Sequence, residues 1–180
     1  MAPKDFKELE DMLEFAINLN KPVAIRYPRG GEQEAKFTTH QKIELGKAEV
    51  LQEGEDITII AIGKMVAKAE NVAKSLAEEG INAEVINARF LKPFDTKTII
   101  KSIEKTKHVV TIEDGTLEGG LYTKVLETMN KEKIYGEVTP FGYPDKFIKH
   151  GTVEEIEKIY GLDEENIIRT VSQFLAITNS

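Results

Sequence analysis

Arg29 stands between a proline and two glycines, in Tyr27-Pro28-Arg29-Gly30-Gly31, which the apolar run Pro22-Val23-Ala24-Ile25 precedes with Arg26 between them. A guanidinium placed there suits a phosphate or a carboxylate. Its planar fork of donors matches two oxygens at once, and neighbouring glycines let the backbone come close to a ligand. A surface arginine in a turn after an edge strand would show the same residues. Arg89 repeats the theme in Asn87-Ala88-Arg89-Phe90, ahead of Lys92-Pro93-Phe94-Asp95, where recognition and a loop-holding salt bridge are both open. His150 ends Pro144-Asp145-Lys146-Phe147-Ile148-Lys149-His150 just before a capped helix. It can reach an interface or merely flank the cap.

The stretch from Glu113 to Gly120 is a glycine-rich turn before a helix, so its amides could hold a small anion. It lacks the GxGxxG spacing and the Gly-Lys-Ser/Thr ending of phosphate loops, and Glu113, Asp114 and Glu118 would repel a phosphate. A purely structural turn is the alternative. Glu113 and Asp114 could also be read as an acid–base pair, but adjacent residues of a strand point to opposite faces. The histidines His40, His108 and His150 have no metal-ligand spacing, and no serine-nucleophile motif is present. Cysteine is absent, which removes thiolate chemistry and disulfides.

These residues need elements to carry them. Phe6, Leu9, Met12, Leu13, Ala16 and Ile17 trace a helix from Asp5, its N-cap, to about Leu19. A strand is expected over Val23 to Tyr27, then a polar linker from Pro28 to Lys42. Strands are expected at Ile43 to Leu51, Ile57 to Ile62, Ala83 to Ala88, His108 to Ile112 and Tyr135 to Phe141. Helices follow Gly63, Asp95 and Gly119-Gly120, and two close the chain behind Thr152 and Asp163, with a Thr152/Glu155 capping box. Alternation of this kind predicts an α/β fold, a three-layer αβα domain on a mostly parallel sheet. Ligands then gather at the carboxyl ends of strands, at Gly63-Lys64, Asn87 to Phe90 and Glu113 to Gly120.

Composition narrows the function classes. The 180 residues carry a net charge of -7, which argues against a general affinity for nucleic acid or an anionic membrane. No apolar run reaches the ~20 residues of a membrane helix, and the acidic amino terminus is unlike a signal peptide. A soluble, cytoplasmic protein is the expectation.

Six segments in order, Tyr27-Pro28-Arg29-Gly30, Ile43-Glu44-Leu45-Gly46-Lys47-Ala48, Asn87 to Asp95, Gly119-Gly120, Tyr143 to Gly151 and Gly161-Leu162-Asp163, resemble the carboxyl end of the 1-deoxy-D-xylulose 5-phosphate synthase family. The resemblance covers nearly the whole chain. It implies a transketolase-like enzyme that uses thiamine diphosphate and Mg2+ to condense pyruvate, with decarboxylation, onto glyceraldehyde 3-phosphate for isoprenoid and thiamine biosynthesis. It implies the end of a pyrimidine-binding domain at residues 1–31, a linker at 32–42 and a transketolase-like carboxyl-terminal domain at 43–180. Arg29 would bind the acceptor phosphate, with Tyr27, Arg89 and His150 as interface or site support. A homodimer and upstream thiamine diphosphate-binding domains would be the partners.

The family's Gly-Asp-Gly motif with its later asparagine is missing, as is its activating glutamate, so the resemblance implies a piece without cofactor or turnover of its own. Leu121-Tyr122-Thr123 also departs from the family's Phe-Gly-Ser after the glycine pair. Two other readings stay open: the subunit of a split transketolase-like enzyme, and a free-standing anion-binding module. With the rest of their sheet missing, the first helix and strand are expected to be mobile or to pack on a second copy.

Overall fold

The computed structural model describes residues 1–28 and 37–178. Helix α1 (Phe6–Leu19) precedes β1 (Glu49–Gln52), β2 (Ile57–Ala61), α2 (Met65–Glu78), β3 (Ala83–Asn87) and α3 (Thr96–Thr106). There follow β4 (His108–Thr116), α4 (Leu121–Glu132), β5 (Glu137–Tyr143), α5 (Val153–Ile159) and α6 (Glu164–Thr178). The sheet runs β1-β3-β2-β4-β5, with β1 antiparallel and the other pairings parallel. This is the α/β domain that the alternating elements predict.

The side-chain alternation of β2 explains the three layers. Ile57, Ile59 and Ala61 face a core shared with α2 and α6, while Ile60 and Ile62 face α3 and α4 through Ile99, Ile103, Leu121 and Val125. Thr58 lies on the second face yet is buried, and its hydroxyl is matched by those of Ser102 at 2.6 Å and Thr106 at 2.9 Å on α3. A strand covered on both sides must satisfy its polar side chains inside the chain.

Caps set the helix starts. Asp95 accepts from Thr98 N at 3.2 Å and Asp163 from Asn166 N at 3.0 Å. Thr152 and Glu155 close a reciprocal box at the head of α5. Replacing Thr152 with alanine is expected to cost about 1 kcal/mol, read as a shift in the urea midpoint. A shift too small to measure would mean that α5 is held by its tertiary contacts alone.

Four boundaries differ from the sequence-based expectation. Val23 to Tyr27 forms no strand and joins no described sheet. Its backbone instead meets Met1, whose amine donates to Ala24 O at 2.8 Å and whose carbonyl accepts from Arg26 N at 2.9 Å. The strand expected from Ile43 shrinks to Glu49–Gln52, because Gly46 turns the chain at φ +69° and Ile43 packs on Met12 and Phe90. β4 runs on through Thr116, where it still pairs with Tyr143. β5 starts two residues later than expected, at Glu137.

α1 is seated on its own chain rather than left without a seat. Met12 is fully buried, Phe15 meets Phe90 edge-on at 6.2 Å, and Glu8 is 1% exposed. The apolar stripe read from the sequence is only partly inside: Phe6, Leu13 and Ile17 are exposed. A polar edge docks this helix, for a reason found in the partners of Glu8.

Candidate functional site

β2 connects through α2 to β3 on one side, and its neighbour β4 connects through α4 to β5 on the other. The connections therefore diverge at the carboxyl ends of β2 and β4, and an open α/β sheet has its ligand crevice at such a point. A cavity of about 240 Å³ lies there, lined by Gly63, Lys64 and Asp114 from the sheet ends and by Ala2, Arg26, Tyr27 and Pro28 from the amino-terminal segment.

The lysines beside it are matched by carboxylates. Arg26 Nη1 donates to the carbonyl oxygen of Asp114. The Asp114 carboxylate lies 3.2 Å from Lys64 Nζ, and Lys64 is also 3.6 Å from Glu157 on α5. Lys68 donates to Glu157 and to Leu162 O, each at 2.6 Å. Burial, with Asp114 and Glu157 nearby, pushes the Tyr143 phenol up to about 12. Tyr143 therefore stays neutral near pH 7 and is no base there. The crevice is equipped to bind and orient.

The candidates from sequence fall in different places. Arg29 lies outside the described residues. Tyr27 is exposed at the crevice. His150 is exposed elsewhere, in a groove with Lys146, Phe147, Lys158 and Ile159, and does not line the crevice.

Arg89 is 1% exposed, and of its two readings the salt bridge is the one formed. Nε donates to Glu8 at 2.6 Å, and Nη2 lies 3.0 Å from both Glu49 and the Gln41 carbonyl. Lys4 donates to Glu49 at 2.5 Å, and Asn87 donates to Glu8 at 3.0 Å. Among the described residues Arg89 keeps all the contacts of its guanidinium within the chain. Its φ of +55° turns it back under α1. Any support it gives a site passes through the seating of that helix.

The glycine-rich turn is closed from within. Glu113 reaches from β4 to the first turn of α4 and accepts from Leu121 N at 2.8 Å and Tyr122 N at 2.9 Å. Burial pushes its carboxyl above the ordinary range, and the two amides and Arg26 offset part of that. The place an anion would take at this helix start is filled by the chain's own carboxylate. Asp114, next in sequence, points to Lys64, so the two form no acid–base pair.

A thiamine diphosphate and magnesium site does not fit the described residues. Among them no three or more His, Asp or Glu side chains are grouped to hold a metal. The one glycine-rich helix start carries Glu113, which would repel a diphosphate. No described helix is long and apolar enough to cross a membrane.

Residues 46–167 match the family model for the transketolase C-terminal domain. The chain belongs to that family. Among curated proteins, 1-deoxy-D-xylulose-5-phosphate synthase of Caldanaerobacter subterraneus subsp. tengcongensis is 46% identical over 173 residues, 96% of this chain. The protein of the same name from Dictyoglomus turgidum is 42% identical over 97% of the chain. The chain spans 28% of the length of each. Among solved structures, a split-gene transketolase described as an inactive β4 tetramer superposes with a TM-score of 0.88 at 34% identity. That match covers 97% of this chain and 57% of the other. A transketolase from Pichia stipitis, at 21% identity and a TM-score of 0.55, shares the fold.

Sequence reasoning missed Arg26, Lys4 and Glu8. Arg26 lay three residues before the arginine that drew attention, and the i, i+4 spacing of Lys4, just ahead of the helix cap, and Glu8 was the only local sign of a buried pair.

Proposed function

We propose that this chain serves as the carboxyl-terminal part of a 1-deoxy-D-xylulose 5-phosphate synthase, a transketolase-type enzyme condensing pyruvate with glyceraldehyde 3-phosphate for isoprenoid and thiamine biosynthesis in the cytoplasm. The observation that carries this is the run of relatives of that one name at 41% to 46% identity along almost the entire chain. Thiamine diphosphate and Mg2+ would be held by upstream domains, since the residues here do not suit them. Residues 1–31 would complete the pyrimidine-binding domain, 32–42 link it, and 43–180 form the carboxyl-terminal domain. The exposed Phe6, Leu13 and Ile17 supply apolar surface for that completion. A homodimer would present Tyr27 and His150 at or near domain contacts.

Arg29 is assigned to the acceptor phosphate, remote from the reacting carbon, where it contributes binding and orientation. Losing a charge-assisted contact costs about 1.5 to 3 kcal/mol. Arg29→Met is therefore expected to raise the KM for glyceraldehyde 3-phosphate about 10- to 150-fold. The assay is pyruvate-dependent condensation by this chain joined to the cofactor-binding domains, beside the chain alone. Turnover by the chain alone, or an unchanged acceptor KM in Arg29→Met, would count against the assignment.

The split-gene neighbour supports a second reading, in which the cofactor-binding half is a separate polypeptide. Capture of a distinct thiamine diphosphate-binding protein by this chain in its native host would select it, and recovery of one longer polypeptide would select the first.

A further inference from the structure

After α1 the chain turns at Asn20, whose φ of +51° reverses its course. Lys21 to Ile25 then runs back beside the first two residues. The Met1 amine donates to Ala24 O at 2.8 Å, the Arg26 amide to Met1 O at 2.9 Å, and the Ala2 amide to Arg89 O at 2.9 Å, just past the end of β3. The other wall is made by Leu45 and the loop Leu91 to Pro93. Gly46 lets that wall close, since a Cβ there would lie 2.8 Å from Pro93 Cγ.

Between the two walls lies a cavity of about 600 Å³, within the range of small-molecule sites. Its lining includes Ile62 and Phe90, each 3% exposed, and Phe15, which stands edge-on to Phe90. Val23 and Leu45 leave apolar surface open to water, at 38% and 46% exposed. The charge is one-sided. Lys21, Arg26 and Lys92 line the cavity, and no aspartate or glutamate does. Arg26 is engaged with the Asp114 carbonyl, whereas Lys21 and Lys92 are exposed and have no ion pair among the described residues. On a chain of net charge -7 this is a local excess of cations.

An apolar hollow with free ammonium groups at its rim suits a molecule with an aliphatic body and an anionic head. The body takes apolar wall out of water, and the head meets opposite charge without being buried unpaired. A cation of the same length gains only the first and is repelled by the rim.

We infer that this cavity binds a single-chain amphipathic anion, an aliphatic chain ending in a carboxylate or a phosphate, with its tail against Phe15, Phe90 and Leu45 and its head at Lys21 and Lys92. Lys64, Asp114 and Arg29 take no part, so the site stands whether or not Arg29 holds the acceptor phosphate.

The test titrates dodecanoate into the full chain by calorimetry, below its micelle concentration, with dodecyl phosphate and dodecyltrimethylammonium alongside. One dodecanoate or dodecyl phosphate is expected to bind per chain, and decanoate, two carbons shorter, about tenfold more weakly. Leu45→Asp, which sets a carboxylate at the mouth, and the pair Lys21→Ala/Lys92→Ala are each expected to weaken dodecanoate about tenfold or more. Lys21 and Lys92 are surface residues, so that pair keeps the test open if Leu45→Asp disturbs the fold. Ile159→Asp, on the groove beside His150, should leave binding within about twofold. Binding that does not saturate, that the ammonium compound matches, or that survives both rim variants overturns the proposal. Its disappearance in the chain joined to the cofactor-binding domains overturns it too, and makes the hollow a contact between domains.

Discussion

Arg89→Met is expected to destabilise the chain by about 3 to 5 kcal/mol, measured by urea unfolding. The side chain that replaces it fills similar space, so the loss is electrostatic. Arg89 sits between the carboxylates of Glu8 and Glu49, and all three are about 1% exposed. Without it two buried acids share one ammonium, that of Lys4, which lies 2.5 Å from Glu49 and 3.7 Å from Glu8. Removing one partner of a buried pair leaves an uncompensated charge. If Arg89→Met fails to fold, the double variant Glu8→Gln/Arg89→Met keeps the test open. It should recover part of the loss, because the unmatched charge is gone. A loss below about 1 kcal/mol in Arg89→Met would show that the network is relaxed by solvent and does not seat α1.

The same network gives a pH dependence with a definite sign. Burial pushes Glu49 up, but Lys4, the Gln41 amide and Arg89 together outweigh it and hold the carboxyl below its ordinary 4.5. A carboxyl depressed in the folded state contributes stability that is present above 4.5 and is lost as pH falls through the lower folded value. The gap in stability between the native chain and Arg89→Met should therefore narrow on acidification below about pH 4.5, since protonation removes what the guanidinium was matching. A gap that stayed constant down to the acid limit would mean that packing, not charge, sets the cost.

The helices were legible because their signals are local. Asp95, Asp163 and the Thr152/Glu155 box each act within four residues, and the run from Ile57 to Ile62 is apolar on both faces because both are covered. The strand ends were less so. Ile43 and Leu45 have the alternation of a strand, but their neighbour is α1 rather than another strand, and no local signal separates the two. Glu113, Asp114 and Gly115 look like a turn. They remain in β4 because Glu113 is drawn to α4 and Asp114 to Arg26 and Lys64.

The site was hardest to read, since its ties span 81 residues from Glu8 to Arg89 and 88 from Arg26 to Asp114. Arg29 was visible through glycine and proline at its side. Arg26, whose neighbours are ordinary, was not. Glu8 was hidden for another reason: on a helix with an apolar stripe a glutamate reads as solvent-facing, and only a buried arginine from another element reverses that.

Gly120→Ala is expected to cost about 3 kcal/mol or more, although its backbone, at φ −91° and ψ −156°, lies in the extended region open to any residue. The cost comes from what the new methyl would meet. A Cβ there would lie 2.0 Å from a Glu113 carboxylate oxygen and 2.4 Å from the Thr116 carbonyl, so Glu113 must leave the start of α4. Two amides, of Leu121 and Tyr122, then lose their acceptor, and a buried carboxylate loses its donors. Glu113→Ala alone should cost about 1 to 2 kcal/mol, a lost cap without a clash. The double variant is the decisive sample, because removing the carboxylate clears the nearest clash and leaves only that with the Thr116 carbonyl. Its cost should fall well short of the sum of the two single losses. Strict additivity in urea unfolding would place the strain at Thr116 O instead, and would mean that the carboxylate is not what requires glycine at this turn.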